Sequence, residues 1–283
     1  MRIQYISDLH LEYNTQSVIP GTSLSEYDDL LVPTAPILAL LGDIGDPENP
    51  SLERFLRWAT ARWSQVLYVP GNHEFWRLKP GSTKTIVSVM KRLYEFEKKY
   101  KNLCIMWRTK LMSEDGVLIL GCPLWSRPAE GVVPHESERA WIDRDNTFDR
   151  ETLINLHKAD LEWLKKEIRA APMKQPIVVL THYAPSLMLI SRDYVGKPES
   201  TLYASDLDYL IRPPVVAWAC GHVHQVVNWK KGWNTADGES GYVLILTNPR
   251  GYKKDKSGFR RDAVLRIDPS SYTSLPTAEE LLD

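Results

Sequence analysis

Asp8 and His10, Asp43, Asn72 and His73, His182, and His222 with His224 each follow a short apolar run within a few residues. The runs occupy residues 3–6, 37–41, 66–69, 177–180 and 215–220, each of strand length and closed by turn residues. Carboxylate, amide oxygen and imidazole without thiolate form a donor set suited to Mn, Fe, Zn or Co rather than Ca or a closed structural zinc. Any one of these residues alone is more often structural, an aspartate capping a turn or a histidine satisfied by backbone. The ordered set, repeated at strand ends, points to metal.

The elements that must position these groups can be read around them. Pro70-Gly71 after the third run forces a sharp turn, so Asn72 and His73 project from that strand's carboxyl end. In open α/β sheets ligands bind at those ends, and the five ends are expected to converge. Residues two apart on a strand face the same way, which would aim Asp8 with His10 and His222 with His224. Asn49-Pro50-Ser51 opens a helix through about Trp63. Ser82 is expected to cap a second helix ending near Tyr100, and Thr147 or Asp149 a third reaching about Ala170. This strand-loop-helix rhythm predicts parallel pairing in the first third.

From Leu103 the pattern changes. Residues 104–107, 110–113 and 117–121 read as meandering strands, and residues 226–229, 242–247 and 263–267 as antiparallel ones. A short helix is expected within the polar connection 12–36. Short helical turns are expected at 185–190 and 205–210. Residues 125–149, rich in aromatic and charged side chains, read as a lid-like loop that contacts substrate or as plain surface loop. His157, inside the third helix, reads as a surface or boundary residue. With no repeat and no dividing linker, residues 1–283 read as a single domain.

Composition narrows the function classes. A hydrophobic fraction of 43% and a charged fraction of 25% are ordinary for a globular protein with a sizeable core. The net charge of −1 gives no global positive field, so nucleic acid and anionic membrane are not expected partners. Cys104, Cys122 and Cys220 form no paired motif and read as reduced, buried thiols. Met1 leads almost directly into a strand, no run is long enough to span a bilayer, and a cytoplasmic location is expected.

The ordered motifs Asp8-Leu9-His10, Gly42-Asp43, Gly71-Asn72-His73-Glu74, His182 and Gly221-His222-Val223-His224 resemble those of the calcineurin-like metallophosphoesterase superfamily. The match spans residues 1 to 224, and no element is missing. The resemblance implies an α/β fold, a four-layer αββα sandwich of two mixed β-sheets flanked by helices. It also implies a dinuclear metal site at the carboxyl ends of the strands. Position by position, it puts Asp8, His10, Asp43 and His224 on one divalent transition-metal ion and Asp43, Asn72, His182 and His222 on the other. Asp43 bridges them. His73 binds no metal and faces the scissile group. Ions about 3.5–4 Å apart can generate a bridging hydroxide that attacks phosphorus, with His73 stabilising charge or giving a proton to the leaving oxygen. The implied activity is hydrolysis of phosphomono- or phosphodiesters.

Departures from the pattern narrow the branch. Gly42-Asp43-Ile44-Gly45-Asp46-Pro47-Glu48 lacks the arginine and second glycine of the Ser/Thr protein phosphatases, and no long basic or coiled-coil extension marks a repair nuclease. Asp46 could orient His73 or a ligand histidine, or simply cap its loop. Arg250, in Asn248-Pro249-Arg250-Gly251-Tyr252, could contact substrate phosphate or be solvated. Trp125, Trp141, Tyr183 and Arg127 could line a cleft for a small phosphoester such as a nucleotide, or be packing residues. A non-catalytic interaction module on the same fold is the competing reading, which the complete ligand set disfavours.

Overall fold

Burial on both faces explains the apolar runs. The computed structural model describes residues 1–13, 27–76, 82–133, 150–172, 175–235 and 238–272. Strands β1 (Arg2–Ile6), β2 (Ile37–Leu41), β3 (Gln65–Val69) and β4 (Leu103–Ile105) pair in parallel, and β11 (Val264–Arg266) adds antiparallel to β1. The second sheet runs β5 (Thr109–Met112), β6 (Leu118–Cys122), β7 (Ile177–Thr181), β8 (Val215–Cys220), β10 (Ser240–Thr247) and β9 (Val227–Asn234). It is parallel from β6 to β10, with β5 and β9 antiparallel at its edges.

Alternate side chains sort into two layers, as the period-two geometry of a strand requires. Ala39, Leu41, Leu67 and Val69 from the first sheet meet Val178, Leu180, Ala217 and Ala219 from the second. Leu38, Leu40, Val66 and Tyr68 face outward toward α1 (Pro50–Thr60) and α2 (Ile86–Lys99), which pack on the first sheet. The helix α3 (Arg150–Ala170) covers β6 of the second. Two mixed sheets with helices outside are therefore the observed architecture.

The helix ends follow local chemistry. The Asn49 side chain accepts from the Ser51 amide at 3.0 Å, but α1 stops at Thr60, short of Trp63. The α2 cap is Thr85 rather than Ser82, through a reciprocal Thr85–Ser88 box. Residues 104–122 are not one meander. β4 closes the first sheet, the chain turns through Arg108 at φ 52°, and β5 and β6 form a hairpin in the second.

His157 is buried, against the expectation of a surface position, and its Nδ1 donates to the carbonyls of Leu124 (2.9 Å) and Trp125 (3.0 Å). Asp160, one turn on, accepts from Arg108 Nη1 at 2.7 Å and the Leu124 amide at 2.8 Å. Burial pushes its carboxyl up to about 6 against the pull of Arg108. The two residues hold Leu124 and Trp125 in left-handed backbone, φ 69° and 24°. Short 3-10 turns stand at Leu187–Leu189 and Asp208–Leu210, inside the stretches expected to be helical. The three cysteines are free, Cys122 and Cys220 buried and Cys104 partly so. Among the described residues no helix is long and apolar enough to cross a membrane.

Candidate metal centre

The strand ends converge, but the pleat does not aim the ligands. β1 ends at Ile6 and β8 at Cys220, and Asp8, His10, Asp43, His222 and His224 all lie beyond strand ends with φ between 46° and 68°. A left-handed residue turns the chain sharply, and two of them two positions apart bring both side chains to one side. Such backbone costs about 1–3 kcal/mol per non-glycine residue and survives only where surroundings impose it. Here the loops are stitched together. The Asp8 amide donates to the Gly42 carbonyl (2.9 Å), the His10 amide to the Asp43 carbonyl (3.0 Å) and the Gly221 amide to the His182 carbonyl (2.9 Å). Gly42 and Gly71 permit that closeness, since a β-carbon on either would overlap His182, and one on Gly71 also the Asp43 carboxylate.

Three donor groups result, two of them built from the motif residues expected to bind metal. Asp8, His10 and His224 form one and Asp43, His182 and His222 the second, while His10, Glu12 and His73 form a third that shares His10, with the ligand atoms of each group within 4.8 Å of one another. Asn72 Oδ1 joins the second, 2.9 Å from His182 Nε2. His182 Nδ1 donates to the Leu41 carbonyl at 2.8 Å, His224 Nδ1 to Asp255 at 2.7 Å and His10 Nδ1 to Glu12 at 3.2 Å. Such partners fix the tautomer that leaves Nε2 as electron-pair donor, the usual setting of a metal-binding histidine. His10 Nε2 and His224 Nε2 then face each other at 3.2 Å, and His222 Nε2 is buried with no hydrogen-bond partner. A donor set so arranged fits divalent cations.

The electrostatics agree. Burial alone would raise the Asp8 and Asp43 carboxyls, yet both are held below the usual range, Asp8 by His224 and Asp43 by His182 and His73. Burial should lower His182 and His224, but Asp43 and Asp8 respectively push them up to about 9. His222 goes the other way, to about 3, through burial and the neighbouring His182 charge. Buried carboxylates need positive charge beside them, and cations bound by these atoms would supply it in place of protons.

Around the clusters stand residues the motifs did not reveal. Glu12 Oε1 lies 3.0 Å from His73 Nδ1 and also bonds His10. Burial raises its carboxyl, but hydrogen bonds from His10 and His73 bring it below the ordinary value. The Tyr252 hydroxyl sits 3.1 Å from His73 Nε2, and its ring stacks on His10 at 4.5 Å. Asp46 instead accepts from the buried Lys84 ammonium at 2.6 Å and from the Glu48 amide, so the His73-orienting role falls to Glu12. Glu74 accepts from the backbone amides of Asp43, Ile44, Gly45 and Gly71 and from the Tyr68 hydroxyl.

A cleft of about 920 Å³ opens over this floor, lined among others by Asn72, His73, His222, Tyr203, Tyr252 and Lys254. Of the expected cleft residues, Tyr183 is buried with its ring 4.3 Å from His222. Trp125 is a core residue packed on Phe75 and Trp107. Arg127 is exposed and outside the described lining. Arg250 is also outside it, and its amide donates to the Ser7 carbonyl at 3.0 Å. Trp141, His135 and residues 134–149 of the lid-like segment lie outside the described residues, as do 14–26 of the 12–36 connection.

This fold and donor set define a metallophosphoesterase. Residues 1–226 match the calcineurin-like phosphoesterase family, and the chain belongs to it. An uncharacterized protein of Acanthamoeba polyphaga mimivirus is 28% identical over 302 residues, covering 95% of this chain and 98% of that one. The fold is similar to that of phosphopantetheinyl hydrolase from Mycobacterium tuberculosis, with a TM-score of 0.62, 18% identity, and coverage of 90% of this chain and 93% of that one.

Proposed function

We propose that the chain works as one metallophosphoesterase domain, a metal-dependent hydrolase of phosphomono- or phosphodiesters. In this reading Asp8, His10, Asp43 and His224 hold one divalent ion of the Mn, Fe, Zn or Co type, and Asp43, Asn72, His182 and His222 hold the second. The observation that carries it is the pair of donor clusters at the strand ends, one with the His10 and His224 Nε2 atoms facing each other beside Asp8 and the other with His182 Nε2 beside Asp43 and Asn72. Two such ions, when bound, supply a water acidic enough to ionise near neutrality and positive charge for the phosphoryl oxygens.

His73 does the remaining proton work. With Nδ1–H donated to the anionic Glu12, its Nε2 points into the cleft at Tyr252 and stands 3.8 Å from Asp43 Oδ2. A proton on that nitrogen can pass to the departing oxygen, and Glu12 holds the ring in place as it does so. Trp76, against the His73 ring, limits water on its other side.

His73→Ala should retain about two metal ions per chain while turnover of 4-nitrophenyl phosphate falls by about 10²–10⁴-fold. Elemental analysis and steady-state rates read the two quantities separately. Unchanged turnover would remove His73 from the reaction. A metal-loaded wild-type protein inert toward a broad phosphoester panel would sink the hydrolase reading and favour a binding module.

A further inference from the structure

The cleft is not symmetric about the metal-ligand floor. On the side of the Asp43, His182 and His222 cluster, the Tyr203 ring lies 5.6 Å from His222 at 34°, and Tyr194 packs on Tyr203 at 4.7 Å. Ile190 extends this wall. Both tyrosines are half-buried and line the cleft, offering flat apolar surface. On the side of the Asp8, His10 and His224 cluster, the lining is the segment that follows β10, with Tyr252, Lys254, Asp255 and Lys256. Among the described lining residues, the side chains that carry a permanent positive charge are those of Lys254 and Lys256.

That basic rim is held in register with the floor. The Gly251 amide donates to the Asp8 carbonyl at 3.0 Å, and Asp255 accepts from the Tyr252 amide at 2.9 Å as well as from His224. The backbone that carries the exposed lysines on either side of Asp255 is thereby held beside one cluster, while the tyrosine wall stands beside the other. His73, hydrogen-bonded to Tyr252, lies on the lysine side. A leaving group protonated by His73 therefore departs toward Lys254 and Lys256, and the group that keeps the phosphoryl unit stays against Tyr203.

We infer that the substrate is a diphosphate whose scissile phosphorus carries a flat, nucleobase-like organic group on one side and a second phosphate on the other: a nucleoside diphosphate or its derivative. This rests on the phosphohydrolase reading. A volume of about 920 Å³ suits such a molecule. Base stacking on aromatic rings and charge-assisted bonds from lysine to phosphate recognise its two ends. In the reaction, a water oxygen bonds to the phosphorus next to the nucleoside. The bridging P–O bond breaks, and the departing phosphate takes a proton from His73. The water's protons restore His73 and enter solvent. A nucleoside monophosphate and a phosphate fragment remain.

Hydrolysis of ADP in ¹⁸O-water tests the orientation. Label is expected in AMP, from attack at the nucleoside-bearing phosphorus; label in inorganic phosphate would overturn the inference. Replacing Lys254 and Lys256 together by alanine should lower kcat/KM for ADP relative to 4-nitrophenyl phosphate by about tenfold or more. Tyr203→Ala should do the same. An unmoved ratio in either variant overturns the assignment of that wall. Calorimetric binding of the α,β-methylene analogue of ADP reads the same contacts without turnover, with affinity expected to fall about tenfold in each variant. Wild-type protein that turns over 4-nitrophenyl phosphate but neither cleaves ADP nor binds the analogue sinks this inference alone. Protein that binds the analogue through these residues but cleaves nothing sinks the hydrolase reading instead.

Discussion

Asp43→Asn should strip the protein of both metal ions and reduce phosphoester turnover by about a thousandfold or more. Asp43 is 1% exposed, and Oδ1 accepts from the His73 amide at 2.8 Å while lying 3.4 Å from His182 Nε2. Asparagine has the same shape and keeps one carbonyl oxygen for the His73 amide, so the loop is expected to stay folded. What disappears is the one carboxylate that serves both proposed sites. Loss of a residue that merely orients a ligand weakens metal affinity by about 10–100-fold, and loss of a shared ligand should exceed that. Elemental analysis after gel filtration, beside a circular dichroism spectrum unchanged from wild type, checks the result. Two ions retained by a folded Asp43→Asn protein would refute the bridging role.

Glu74→Ala should be as damaging, by a different route. The Glu74 carboxylate is fully buried and takes hydrogen bonds at 2.8 Å from both Ile44 and Gly71 and at 2.6 Å from Tyr68, with Asp43 at 3.1 Å. It ties the loop after β2 to the loop after β3, which are the loops carrying Asp43 and Asn72. Burial and the Asp43 charge push its carboxyl up to about 7, so the group is costly to keep and is retained for its geometry. Alanine leaves these donors without a partner, at about 1–3 kcal/mol for each group that water does not reach. A loss of about 4 kcal/mol or more is expected, lowering the melting temperature by about 10 °C. Glu74→Gln should fall between, because its amide nitrogen would confront backbone N–H groups that need an acceptor. A Glu74→Ala protein melting within a degree or two of wild type would overturn this account.

The proposed ligands were legible because each closes a buried parallel strand, and buried parallel strands write themselves as uninterrupted apolar runs. Glu12 left a trace that could have been used, since it repeats the two-residue step from Asp8 to His10. Tyr252 and Asp255 left none. They reach the floor only because β10 lies beside β8 in the sheet, a pairing between segments whose local patterns do not announce it. Of its two readings, Asp46 takes the loop cap, accepting from the Glu48 amide, while Lys84, dozens of residues away in sequence, and not a histidine completes its partners. His157 was misjudged for a related reason, as the left-handed turn at Leu124 and Trp125 folds loop carbonyls onto a helix that would otherwise expose that face.

The contorted backbone at Asp8, His10, Asp43, His222 and His224 sets robustness against usefulness. Aspartate and histidine visit this region more readily than most side chains, yet they carry a penalty there that glycine does not. A library of this chain sieved only for survival on heating, with no demand for turnover, should therefore accumulate glycine at these five positions. The hardiest survivors would be inert, and sequencing them would map the site without a single assay of its chemistry.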